Sequence, residues 1–267
     1  MTMKGMRMTK SEFLEKLRTA VNTFVDGVQD KEGAWTVKGF IDTHRDIYTI
    51  STDTKVVSKI VELYIFPKIC KFAHDNHLRL ELTKEQNFYP DITFEDEDGN
   101  LFAVDIKSSY RKNDSTINGM TLGAFTGYFR ERSSTKNTTH PYGQYKAHVV
   151  LGIIYSLNEG GDDEFKVYQL SDIDTIRSVI KDFTFFGQEK WRIAIDRAGS
   201  GNTKNIGSVS SIRQLIEGSG PFTELGEEVF DDYWMIYLTQ DMARKAELPK
   251  PYYKNLAEYK QFRRLVQ

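Results

Sequence analysis

Residues 90–107 read Pro-Asp-Ile-Thr-Phe-Glu-Asp-Glu-Asp-Gly-Asn-Leu-Phe-Ala-Val-Asp-Ile-Lys, and they leave the chain little freedom. Ile92-Thr93-Phe94 is a short β-prone run that follows Pro90 and Asp91. A charged turn spans Glu95 to Asn100, tightest at Asp98-Gly99. Asp-Gly between two apolar runs is a strong hairpin signal. In the second run, Leu101 to Lys107, strand side chains alternate with a period of two. Phe102, Val104 and Ile106 therefore share one face, and Ala103, Asp105 and Lys107 the other. A closed hairpin brings Asp91 to the same end of the sheet as Asp105 and Lys107.

Two carboxylates and one ammonium at one place suit metal-assisted hydrolysis of a phosphodiester. Hard oxygen ligands hold Mg²⁺, which keeps several of its waters. Such a metal polarises the phosphate and activates water. The lysine stabilises charge developing on the phosphate, or positions and deprotonates the water. The competing reading is a surface hairpin with solvated charges.

The length, 267 residues, fits one large domain or one domain with lobes. A net charge of −2 does not advertise a nucleic-acid partner, but the charge is unevenly spread. Residues 215–232 carry six acids and no Lys or Arg, whereas residues 244–267 carry seven Lys/Arg against Glu247 and Glu258. That asymmetry permits a basic surface beside an acidic one. Cys70 is the single cysteine, so no intrachain disulfide forms, which favours a reducing cytoplasm. The basic start, Met1 to Lys10, has no apolar segment after it, so no signal peptide is expected. No apolar run approaches a membrane span.

Thr9-x-x-Glu12 is a capping box. Phe13, Leu14, Leu17, Val21, Phe24 and Val28 follow at helical spacing, which predicts an amphipathic helix ending near Gly27 or Gly33. Residues 35–50 alternate weakly and suggest a small hairpin. Ser51-Thr52-Asp53 offers N-caps for a helix from Thr54, with Val57, Ile60, Val61 and Tyr64 as its stripe and Pro67 as a kink or end. Glu62 on that helix is either solvated or a further acid aimed at the metal site. Gln86-Asn87-Phe88-Tyr89 is either a groove-reading loop or an ordinary one.

Thr116 to Arg132 reads as a helix or mixed segment. Ala147 to Tyr155 is almost wholly apolar, which predicts a buried central strand. Glu159 to Asp163 is a surface turn, Phe165 to Leu170 a strand, Ile173 to Ile180 a helix, and Trp191 to Ile195 another strand. Gly199-Ser200-Gly201-Asn202-Thr203-Lys204-Asn205 is neither a Rossmann nor a Walker loop. Its small residues allow close backbone approach to a ligand, Asn pairs well with adenine, and Thr suits a thymine methyl. A flexible polar turn remains the alternative. Asp231 to Trp234 begins one helix and Lys254 to Leu265 forms another, with Pro249 and Pro251 between them. The basic tail is either a phosphate contact or solvated. The five histidines complete no zinc pattern.

Five segments together carry a resemblance. They are Ser51-Thr52-Asp53-Thr54-Lys55-Val56, Gln86 to Asp91, Val104-Asp105-Ile106-Lys107, Gln144-Tyr145-x-Ala147-His148, and Ala198 to Ser208 with its Gly199-Ser200-Gly201-Asn202-Thr203-x-Asn205 core. In that order they resemble a type II restriction endonuclease of the EcoRV kind, within the PD-(D/E)XK nuclease superfamily. The resemblance implies an α/β restriction-endonuclease-like fold over residues 1–267: a central mixed β-sheet flanked by helices, with a small dimerisation lobe near 36–49 and 167–177.

The resemblance also implies a homodimer that cuts both strands of DNA with Mg²⁺, beside a cognate methyltransferase in a bacterial cytoplasm. Asp91, Asp105 and Glu62, with the backbone carbonyl of Ile106, are the implied metal ligands, and Lys107 is the implied catalytic lysine. Gly199 to Asn205, including Lys204, fall on the major-groove recognition loop, and Gln86 and Asn87 on the loop beside the minor groove. Lys55, Ser58, Ser109 and Lys136 are further implied DNA contacts, and Ser108 and Ser109 replace threonines beside the scissile phosphate. The implied site is GATATC, cut bluntly at its centre, with bending at the central step contributing to specificity. Lys204 stands where the family has threonine. Two other functions stay open: a non-catalytic, sequence-specific DNA-binding protein on the same scaffold, and a less specific repair or resolvase nuclease.

Overall fold

The computed structural model describes residues 8–85, 87–158, 166–199 and 204–266. Helix α1 (Lys10–Asn22) begins at the expected capping box, with Thr9 and Glu12 each bonding the other's backbone N–H. It stops earlier than its apolar spacing suggests. Thr23 caps it, its hydroxyl donating to the Ala20 carbonyl at 2.7 Å, and Phe24 and Val28 reach the core from turns instead. Strands β1 (Gly39–Ile41) and β2 (Asp46–Thr49) form the expected small hairpin.

Helix α2 (Thr54–Asp75) is capped by Asp53, whose carboxylate accepts from the N–H groups of Lys55 and Val56. Pro67 does not end it. Ile65, Ile69 and Phe72 are buried on either side of the proline, and that burial outweighs the missing hydrogen bond.

Strand β3 (Arg79–Leu82) precedes the hairpin of β4 (Ile92–Glu95) and β5 (Leu101–Asn113). The hairpin closes in the expected register, with Ile92 opposite Val104 and Glu95 opposite Leu101. Gly99 takes φ +77° at the turn, and Asp96 accepts from the N–H groups of Asp98 and Asn100. Thr116 to Arg132 is not α-helical. It holds β6 (Thr116–Ile117), β7 (Thr121–Ala124) and a 3₁₀ turn at Gly127–Phe129. Gly119, Gly123 and Gly127 all adopt positive φ, which breaks any helical run.

Strand β8 (Tyr145–Leu157) is the buried central strand that its apolar run predicts. It pairs in parallel with β5, setting Asp105 opposite Val150 and Lys107 opposite Gly152. A Cβ at Gly152 would overlap the Phe186 ring, so only glycine fits. Strand β9 (Val167–Gln169) lies where a strand is expected. The helix expected over Ile173 to Ile180 is absent. A 3₁₀ turn, Leu170–Thr175, leads to β10 (Ile180–Glu189). Ile176 packs with Ile47 and Tyr168 in a small cluster while Ile180 enters the main sheet, so their helical spacing serves two different cores.

The strand expected over Trp191 to Ile195 begins later. Lys190–Ile193 is one helical turn (α3), followed by β11 (Ala194–Ala198) and β12 (Asn205–Ser208). Four helices end the chain: α4 (Ile212–Glu217), α5 (Glu227–Ile236), α6 (Gln240–Lys245) and α7 (Leu256–Val266). Helix α5 starts earlier than expected, with Glu227 and Glu228 in its first turn, where carboxylates favour a helix N-terminus. The turn at Glu159 to Asp163, Phe165 and the chain start through Arg7 lie outside the described residues.

The main sheet runs β10-β8-β5-β4-β3, parallel only between β8 and β5, so it is mixed. Helices α1 and α2 cover one face around Phe13, Val57, Val61, Phe102 and Val104. The other face carries Ala103 and Val150 beneath β7, β12 and the C-terminal helices. A second sheet, β11-β12-β7, lies on that side, and β1-β2-β9 forms a third. No helix among the described residues is long and apolar enough to cross a membrane.

Candidate active site

Hairpin closure places Asp91 at the entrance of β4 beside the second half of β5. Its Oδ2 accepts from the Ile106 N–H at 2.7 Å, so the backbone of the neighbouring strand fixes the carboxylate. Lys107 reaches both acids, with Nζ 2.8 Å from Asp105 Oδ2 and 3.6 Å from Asp91 Oδ2. The Asp91 side chain is 40% exposed and that of Asp105 10% exposed, so one carboxylate faces the cleft and the other lies in its floor.

The charges are unequal. Burial and the adjacent Asp105 charge push Asp91 up to about 6, despite Lys107 and the Ile106 N–H. Burial also works against an ionised Asp105, but the Lys107 and Lys190 charges outweigh it and hold that carboxyl below its usual range. Lys107 is raised, because its two acidic partners overcome its own desolvation.

With both acids ionised, one ammonium leaves the cluster net negative, which suits a further cation. Asp91 and Asp105 are hard oxygen donors that fit Mg²⁺, which takes few protein ligands and keeps waters. Among the described residues no three His, Cys, Asp or Glu side chains are gathered to hold a metal. Glu62 is therefore not grouped with the two aspartates. It pairs with Lys59 at 3.0 Å across one turn of α2. Ser58, a turn before Glu62, touches Ser108 on β5 through hydroxyls 2.5 Å apart, so this edge of α2 borders the site.

The remaining expected positions divide. Lys55 is exposed in the first turn of α2, and Asn87 and Lys136 are exposed on loops. Ser109 is buried and donates to the Gly119 carbonyl at 3.1 Å, which turns it into the fold. Gly199 donates its N–H to the Asn205 carbonyl at 2.9 Å, closing the neck of the glycine-rich segment. Lys204 is exposed, and its carbonyl accepts from Phe125. Gln86, Ser200, Gly201, Asn202 and Thr203 lie outside the described residues. A cleft of about 330 Å³ joins Lys107 and Ser108 to Thr121, Gly199 and Gly207, so the lysine of the cluster and that neck open into one space. In the C-terminal tail, Arg263 is committed to Asp232 rather than free for phosphate.

Lys190 carries no signal in the sequence, since Glu189-Lys190 looks like an ordinary solvated pair. Yet Lys190 is 2% exposed. It stands over the rings of Tyr89, Phe129 and Tyr142 at 5.3, 5.4 and 5.4 Å from their centroids. Tyr89 also bonds His148 Nδ1 at 2.8 Å. Burial, with the nearby Lys190 and Arg132 charges, holds that imidazole well below its ordinary range.

The family described as restriction endonuclease EcoRV is matched over residues 31–264. The type II restriction enzyme EcoRV of Escherichia coli is 35% identical over 239 residues, spanning 88% of this chain and 94% of that protein. Among solved structures, NlaIV restriction endonuclease aligns over 96% of this chain and 97% of its own, at TM-score 0.39 and 9% identity.

Proposed function

The chain belongs to the EcoRV restriction endonuclease family, and from that we propose that it is a Mg²⁺-dependent type II enzyme cutting double-stranded DNA at GATATC, bluntly, at the centre. The observation that carries the chemistry is the convergence of Asp91, Asp105 and Lys107, with the ammonium within 3.6 Å of both carboxylates. Asp91 and Asp105 are the metal-holding acids, and the Ile106 carbonyl joins them. When bound there, Mg²⁺ supplies Lewis-acid polarisation of the phosphate and activation of water. Without metal the two acids hold Lys107 protonated, which suits it to stabilise charge on the phosphate or to position the water. The Ile106 N–H fixes the Asp91 carboxylate through its Oδ2, which orients the acid that would help hold the cation. Glu62 lies on the bordering edge of α2 and tunes the site from there.

Gly199 to Asn205 read the major groove, with Gln86 and Asn87 on the minor-groove side. Lys55, Ser58 and Lys136 complete the proposed DNA contacts, while Ser109, buried and bonded to the Gly119 carbonyl, is left to position the strand beside them. The protein is one restriction-endonuclease-like domain that works as a homodimer through the lobe of β1, β2 and β9, alongside a cognate methyltransferase in the cytoplasm. Exposed apolar side chains support that surface: Phe40, Ile41 and Tyr48 on the hairpin, Val167, and Leu170 and Ile173 in the following turn.

A plasmid with a single GATATC, incubated with protein and Mg²⁺, is expected to give one blunt linear product. A smear instead would point to the less specific nuclease. Asp91→Ala and Lys107→Ala are each expected to abolish cutting while circular dichroism stays near wild type. Cleavage by either variant at the wild-type rate would refute the site assignment.

A further inference from the structure

We propose that Lys190 is a positioning residue: a buried ammonium, caged by aromatic rings behind Asp105, that holds the acid pair in its working arrangement. The proposal rests on the nuclease reading above and extends it to a group with no other evident task. Lys190 is almost wholly buried, and its Nζ has no hydrogen-bond partner among the described residues. A buried ammonium without an ion pair is destabilising, so packing alone does not favour lysine here. Three rings face it, which offsets part of that cost.

The cage leads to both acids. Tyr89, under the ammonium, lies two positions before Asp91 and stacks on Tyr128 with centroids 5.0 Å apart. A Cβ built on Gly123 would stand 3.1 Å from the Tyr128 hydroxyl and 3.5 Å from Lys190 Nζ. Those two polar atoms thus converge at one point of β7, and glycine keeps the space open. Asp105 lies opposite Val150 and Val150 opposite Gln188, two residues before Lys190, so the end of β10 brings Lys190 to the row of that acid; burial, opposed by Asp105, lowers the ammonium. Lys190 thus places a buried ammonium beside Asp105, and its cage includes Tyr89, two residues before Asp91.

The test compares Lys190→Met, which keeps length and loses charge, with Lys190→Arg, which keeps charge and overfills the cage. Three quantities are measured: Tm without metal, and KM and kcat for plasmid cleavage with Mg²⁺. The expected result is a crossover. Lys190→Met has a Tm at or above wild type, an unchanged KM and a kcat about ten-fold lower, less than the roughly hundred-fold loss of a donor that touches the reacting oxygen, because Lys190 acts through Asp105. Lys190→Arg has a lower Tm but retains more kcat than the methionine variant. A structural role predicts the same ranking for Tm and kcat, and that ranking would overturn the proposal. So would Lys190→Met with kcat within two-fold of wild type, or with Tm and kcat falling together. If the arginine variant does not fold, the methionine result decides. A wild-type protein that cuts nothing overturns the nuclease reading itself. A wild-type protein that cuts no faster than Lys190→Met overturns only this inference.

Discussion

Asp91 and Asp105 are the same residue type a few ångströms from one lysine, and they titrate in opposite directions. Asp91 is raised to about 6, so its protonated form is favoured by folding. Its stabilising contribution is complete below the unfolded carboxyl range and is lost as pH rises through about 6. Asp105 is lowered, so its contribution is present above the unfolded range and disappears only on stronger acidification. In EDTA, the wild-type protein is therefore expected to lose Tm between pH 4.5 and 6.5, and Asp91→Asn to show a much flatter profile over that window. Thermal melts at four or five pH values check this, and an equal slope in the variant would remove the raised carboxyl from Asp91. The three clustered residues were legible because hairpin and strand periodicity are local rules. Glu62 was not placed by the same reasoning, because its direction depends on how α2 packs, and its visible partner is Lys59. Lys190 was illegible because nothing adjacent in the chain announces a cage built from Tyr89, Phe129 and Tyr142.

Among the elements, those with unambiguous local chemistry match their sequence: the capping box of α1, the Asp53 cap of α2, the Asp-Gly turn and the apolar run of β8. Elsewhere tertiary burial or backbone conformation overrides periodicity. Ile176 and Ile180 are spaced as on a helix but enter different clusters. The positive-φ glycines between Gly119 and Gly127 disqualified a helix that composition alone allowed. The acidic and basic stretches near the C-terminus were separated in sequence but are joined in space. Arg263 on α7 pairs with Asp232 on α5, and Tyr259 bonds the same carboxylate. Arg263→Ala is accordingly expected to cost about 1 kcal/mol of stability in urea melts, since the pair is partly exposed and networked. The slope of log K for DNA binding against log salt should not change. A slope shallower by about one would show that Arg263 does neutralise a phosphate.

For the whole molecule, the surface proposed to pair two copies is the small sheet. Phe40 and Ile41 are 54% and 57% exposed on its edge hairpin, apart from the main core. If two copies pair through it as proposed, a charge there leaves each chain folded but unable to pair. Phe40→Glu with Ile41→Lys is expected to sediment as a monomer, keep its circular dichroism, and lose most double-strand cleavage. A double variant that stays dimeric at micromolar concentration would move the interface elsewhere. The parallel pairing of β5 with β8 has a consequence in time. During synthesis, Asp105 and Lys107 leave the ribosome well before Tyr145 and the rest of β8 exist to flank them, and Lys190 follows later still. A nascent chain thus carries the acid and lysine side chains without the enclosure that sets their charges, and that enclosure forms only when distant segments close on one another.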